Sequence, residues 1–98
     1  MIVRLVKMEF KEEAIAEFTN LFEERKQLIR HFDGCKHLEL WQDHAHPHIF
    51  FTYSMWESEQ ALNHYRFSEF FKDTWGKTKA LFAAKAEAWS VAVLSTPQ

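Results

Sequence analysis

Only two glycines and two prolines interrupt the 98 residues. With no Gly-, Pro- or Ser-rich stretch, no repeat and no low-complexity segment, nothing marks a linker, and residues 1–98 read as a single domain. The lone cysteine, Cys35, excludes an internal disulfide and a cysteine-based zinc knuckle. No apolar run approaches the roughly 20 residues that span a bilayer. The opening MIVRLVKMEF lacks the long apolar core of a secretory signal. A cytoplasmic protein without a membrane partner is the expectation. An excess of positive charge is absent too: 12 Lys plus Arg stand against 14 Asp plus Glu, leaving −2. Such a chain has no basic field to hold phosphate backbones, so nucleic acid is not an expected partner.

What the sequence does hold is aromatic residues. Ten Phe, four Trp and two Tyr make up 16% of the chain, within a hydrophobic share of 47% and a charged share of 27%. That balance excludes a wholly disordered chain. The rings exceed the obvious need of a small core. A domain this short buries only about 60–65% of its unfolded surface, so association with another copy helps its stability.

Residues 2–8 read as a strand with partial alternation. Residues 11–32 read as an amphipathic helix whose inner stripe is Phe10, Ala14, Phe18, Leu21, Phe22, Arg25, Leu28, Ile29 and Phe32. Asp33-Gly34 stops it. Residues 35–42 and 48–56 alternate as two further strands around a turn at 43–47, and they form an antiparallel hairpin. Ser58 caps a helix running to about Arg66, and Ser68 caps a second piece ending near Trp75-Gly76. After an ill-defined stretch, 77–84, residues 86–94 form a fourth strand. The order β-α-β-β-α-β predicts an α+β, ferredoxin-like domain: a four-stranded antiparallel sheet with helices on one face.

Alternation places Phe50, Thr52, Ser54 and Trp56 on one face of the third strand, and Ile49, Phe51, Tyr53 and Met55 on the other. Both faces are substantially apolar, yet helices cover only one. The uncovered face predicts a homodimer in which two sheets meet.

Gly34-Cys35, Leu38-Glu39-Leu40, Asp43, Pro47, the run Phe50-Phe51-Thr52-Tyr53-Ser54-Met55-Trp56-Glu57-Ser58, then Ala61-Leu62, Tyr65-Arg66, Ser68 and Phe71 form an ordered set. Over residues 2–94 the chain resembles the antibiotic biosynthesis monooxygenase (ABM) family. The resemblance implies a dimeric α+β barrel. It also implies one of several activities: oxidation of anthrones or quinols by molecular oxygen with no metal or flavin cofactor, haem degradation, or signal-processing and isomerising roles. The haem-degrading branch carries an Asn on the first strand and an iron-binding His on the helix after the third. Here the first strand has no Asn, and the His position falls on or near Trp75, whose indole is no iron ligand. The resemblance therefore favours the cofactor-independent reaction.

That chemistry asks for a flat pocket, a means of ionising the substrate, and donors for the developing oxyanion or peroxide. Trp56, where the third strand meets the next helix, is the candidate wall; otherwise it is a core Trp with its N–H tied to a backbone carbonyl. Thr52 and Ser54 share its face and serve as hydroxyl donors or as polar filling. Phe50 shares that face as well. His37 and Glu39 share a face with Trp41, and a His beside a carboxylate is a candidate base. Tyr65, three residues after Leu62, belongs to the inward stripe, whereas His64 faces solvent or a subunit boundary. Phe67 and Trp75 are candidate substrate contacts, and with Phe70 and Phe71 they also suit a core.

His44, His46 and His48 crowd the hairpin turn, but with no nearby Cys and only Asp43 close they read as a solvated loop, and no metal is assigned. Cys35 reads as a small buried filler. Arg4 and Arg25 interrupt apolar faces, where each suits a carboxylate partner or an anionic substrate. The combined expectation is a homodimer that oxidises a small hydroxylated aromatic or quinol with molecular oxygen. A ligand-binding or scaffold dimer of the same fold, or an isomerase, is the alternative.

Overall fold

A computed structural model describes residues 1–97. Strand β1 (Ile2–Glu9) leads through a 3-10 turn at Glu12–Ala14 into helix α1 (Ile15–Arg30). Strands β2 (Cys35–Gln42) and β3 (Ile49–Trp56) follow, then helices α2 (Glu59–Arg66) and α3 (Glu69–Lys79), and strand β4 (Glu87–Ala92). The sheet order is β2-β3-β1-β4, with every neighbouring pair antiparallel. This is the α+β, ferredoxin-like arrangement expected from the pattern.

Both helices after β3 begin as their sequences dictate. The Ser58 hydroxyl accepts the Ala61 amide and the Ser68 hydroxyl accepts the Phe71 amide, satisfying N-terminal donors of α2 and α3. Gly34 ends the turn after α1 at φ +86°, a conformation that suits glycine. There is a second reason for glycine here: a Cβ at this position would run into the Cβ of Ala61 on α2. The backbone of this turn and α2 thus lie in direct contact, and that contact sets where α2 sits over the sheet.

The core has two parts. Met8, Phe10, Phe18, Phe22 and Phe50 fill one end, with the Phe10 and Phe18 rings stacked at 4.0 Å. Cys35, Trp56 and Leu62 fill the other. Between them the helices stand off the sheet.

Three expectations change. The final helix does not end at Trp75-Gly76 but continues to Lys79. Gly76 keeps helical backbone, since the sole glycine at positive φ among the described residues is Gly34. Leu28 is 60% exposed, not part of the α1 stripe. At 100° per residue it sits about 90° from the middle of the arc shared by Phe18, Phe22, Arg25 and Ile29. The segment 80–86 is held by pairing between Phe10 and Phe82, and by the Ala83 amide donating to the Glu9 carbonyl at 2.8 Å.

Candidate functional site

The gap between sheet and helices is a cavity of about 260 Å³. Its floor is the inner sheet face, including Arg4, Val6, Leu38, Thr52, Ser54, Trp56 and Ala88; its roof includes Leu62, Tyr65, Arg66, Phe71 and Trp75 from α2 and α3. The volume falls just below the roughly 300–1,000 Å³ typical of drug-sized ligands, so one or two fused rings suit it.

Aromatic rings run in a chain from the sheet floor to the roof and beyond it. The Trp56 indole stacks on the Tyr65 ring with centroids 4.8 Å apart. Phe71 meets Tyr65 edge-on at 5.1 Å and lies parallel to Trp75 at 5.9 Å. Trp75 then meets Phe82 edge-on at 5.6 Å. Each contact fixes the next ring, giving a preformed aromatic wall in which the Trp56–Tyr65 pair stands edge-on to the Phe71–Trp75 pair. Trp56 is only 1% exposed. Its indole N–H donates not to a backbone carbonyl but to the Ser54 Oγ at 3.0 Å. Accepting that bond leaves the Ser54 hydroxyl proton free to turn toward a ligand.

Burial, and secondarily the neighbouring Cys35 thiol, pushes the Tyr65 phenol well above its ordinary value. At neutral pH Tyr65 therefore stays protonated, a phenol able to donate a hydrogen bond and not a phenolate base. Cys35 is likewise raised by burial, and its Sγ–H lies 3.6 Å from the His37 carbonyl; it is an inert filler.

Of the residues singled out from the sequence, Trp56, Thr52, Ser54, Tyr65 and Trp75 come together at the cavity. Three do not. Phe50 lies on the inner face but packs at 5.3 Å from Phe18 in the filled end of the core. Phe67 is 71% exposed. It follows the last residue of α2, two positions after the inward Tyr65, and so sits on the far side of the turn that leads into α3.

His37 lies on the opposite side of the sheet. Cys35 pairs with Trp56, but His37 pairs with Met55, an irregularity of one residue at Lys36. Strict alternation from the buried Cys35 would bring His37, Glu39 and Trp41 inward; the bulge turns all three outward. There the Glu39 carboxylate meets His37 Nε2 at 2.5 Å and accepts the Trp41 indole N–H at 2.7 Å, while Trp41 stacks on Tyr53. His37 is therefore not placed to act as a base in the cavity.

The two arginines raised by the sequence also part ways. Arg25 donates to Asp73 at 2.9 Å and to Thr74 at 2.7 Å, tying α1 to α3. Arg4 faces the cavity, with the Ser90 hydroxyl at 2.9 Å. Arg66 joins it there, unforeseen from the sequence, although its place four residues after Leu62 carries the signal. In the hairpin turn, His46 approaches Asp43 at 3.1 Å and His48 approaches Glu9 at 3.3 Å. No group of three or more metal-ligating side chains is gathered among the described residues. None of their helices is long and apolar enough to cross a membrane.

A split β-α-β-β-α-β sheet with an aromatic chamber beneath its helices defines the ferredoxin-like α+β class. The chain belongs to the antibiotic biosynthesis monooxygenase family: the model of that family matches residues 1–76. Solved structures agree on the fold. A protein described as an antibiotic biosynthesis monooxygenase superposes with a TM-score of 0.90 at 20% identity, covering 97% of this chain and 100% of its own. A conserved protein from Methanosarcina mazei Go1 gives 0.86 at 23%, covering 93% and 91%. SnoaB from Streptomyces nogalater, described as a cofactor-independent oxygenase and solved as its N63A mutant, gives 0.86 at 15%, covering 97% and 94%. Comparison with curated proteins by sequence found no match.

Proposed function

We propose that this protein is a cytoplasmic homodimeric monooxygenase that oxidises a small hydroxylated aromatic or quinol with molecular oxygen, without metal or flavin. The observation that carries this reading is the 260 Å³ cavity walled by Trp56, Tyr65, Phe71 and Trp75 in a chain of this family. The reaction balances for a phenol or quinol with a hydrogen on the reacting ring carbon. The ring hydroxyl loses a proton to solvent, and dioxygen adds at a ring carbon of the resulting anion. The peroxide takes up a proton, and the hydroperoxide loses water to leave a quinone carbonyl: one oxygen atom stays in the product and the other departs in the water.

The chain's own groups suit that sequence. Trp56 and Trp75 hold the ring flat and help exclude water. Tyr65, Ser54 and Thr52 supply hydroxyl donors where oxyanion and peroxide charge develops. The partner copy covers the outer sheet face, where Trp89 and Val91 are 44% and 43% exposed.

One observation favours a second reading, a non-catalytic binder or an isomerase: among the described residues no His, Asp or Glu lines the cavity. Oxygen uptake with a panel of quinols and anthrones, measured with chelator present, separates the two. Uptake that collapses in Trp56→Phe supports the oxygenase. Saturable binding with no oxygen consumed by any panel member refutes it in favour of the binder, and conversion without oxygen points to the isomerase.

A further inference from the structure

Among the described residues, Arg4 and Arg66 are the only charged side chains lining the cavity, and both are cations. Among the described residues neither forms an ion pair; the ion-paired arginine is Arg25. Arg4 is held on the central strand β1, its guanidinium fixed by the Ser90 hydroxyl of β4. Arg66 closes α2, one residue after the stacked Tyr65. Folding has thus brought two like charges to one largely apolar chamber and given them no carboxylate, an arrangement that works against the empty protein.

We propose that the cavity takes its aromatic ligand as an anion, with an ionised ring oxygen or ring-borne carboxylate held between Arg4 and Arg66 and the ring against Trp56 and Tyr65. The proposal rests on the reading of this cavity as an aromatic-binding site and names the ligand's charge. It also accounts for the missing base: two guanidiniums favour the ionised form of a bound phenol or quinol, so a proton leaves to solvent without a carboxylate or imidazole to take it. Burial, with a smaller contribution from Arg66, already lowers Arg4 from the ordinary arginine value. The two cations therefore sense one another, and an anion between them relieves both. Guanidinium is well matched to either oxygen chemistry, through paired N–H donors.

The test uses the intact protein at neutral pH with two probe pairs. The first is 1-naphthoate against its neutral isostere 1-naphthamide, by calorimetry. The second is 4-nitrophenol, whose absorbance reports its ionisation, bound against free. Naphthoate should bind about tenfold or more tighter than the amide, as expected for a charge-assisted contact. The bound nitrophenol should ionise roughly one pH unit or more below the free compound. Arg4→Gln and Arg66→Gln should each weaken naphthoate about tenfold and leave naphthamide unchanged, while Arg66→Lys retains most of the preference.

A further readout separates binding from mere structure. With no ligand, Arg66→Gln should melt at or above the wild-type temperature, since it removes repulsion and breaks no ion pair. Equal binding of naphthoate and naphthamide together with an unshifted nitrophenol overturns the anion while leaving the aromatic cavity standing. Failure of all three probes to bind overturns the cavity reading and this proposal together. A naphthoate preference that appears alone, with nitrophenol bound in neutral form, limits the anion to a carboxylate and removes the explanation for the absent base.

Discussion

Trp56 and Tyr65, nine residues apart on a strand end and a helix, stack face to face at 4.8 Å with 24° between their planes. One ring is fixed through its N–H to Ser54; the other keeps a protonated hydroxyl beside the cavity.

Trp56→Phe keeps a ring but removes the N–H and part of the stacked surface. A loss of about 1–3 kcal/mol in urea unfolding is expected from the broken bond and the space left behind. Oxygen uptake should fall in the same variant under conditions where it remains folded.

Tyr65→Phe removes one oxygen and leaves the stack. Neutral-pH stability should change by less than about 1 kcal/mol, while turnover falls more than apparent substrate affinity. The alkaline range gives a second check. Because folding raises the phenol above its ordinary 10.0, its contribution is complete below that pH and is lost as the pH rises beyond it. Thermal melts between about pH 8 and pH 11 should show a steeper alkaline decline in the wild type than in Tyr65→Phe.

His37→Ala should leave oxygen uptake per subunit unchanged and instead alter the monomer–dimer balance seen in sedimentation. His37, and next Trp41, hold the Glu39 carboxyl below its usual range through hydrogen bonds. That contribution is present above the ordinary glutamate value and disappears as pH falls through the depressed one. Melts in the acid range should therefore be less pH-dependent in the variant. A large drop in turnover with the dimer intact would return His37 to the reaction.

Gly34→Ala meets two obstacles, the positive φ and the Cβ of Ala61. A loss of about 1–3 kcal/mol is expected from the backbone strain alone. Adding Ala61→Gly should recover the steric part and not the backbone part, so the double variant unfolds between the single variant and the wild type.

Gly76→Ala should do the opposite. Nothing lies within 4 Å of the position a Cβ would take, and the backbone is helical. A gain of about 0.5–1 kcal/mol in urea unfolding is expected.

These residues also show what was legible in the sequence. Period-two alternation identified the four strands and both faces of β3, because a half-buried strand must alternate. Leu62 and Tyr65, three apart, located the inward side of α2. Ser58 and Ser68 marked the starts of α2 and α3 because their hydroxyls are needed there.

What stayed hidden was non-local. The bulge at Lys36 leaves no compositional trace, yet it moves His37 from one side of the sheet to the other. Gly76 looks like a stop, but packing of α3 overrides a propensity cost of only about 1 kcal/mol. That Arg25 has carboxylate company and Arg4 has none depends on Asp73, 48 residues along the chain, which spacing does not reveal.

The chamber takes its ceiling largely from one short stretch of chain, residues 59–79, and its base from the strands. Substitutions confined to those two helices can resize the space or change its polarity while every strand register stays as it is. A lineage built on this plan is free to remodel the chamber by editing a fifth of its length, with the scaffold left untouched.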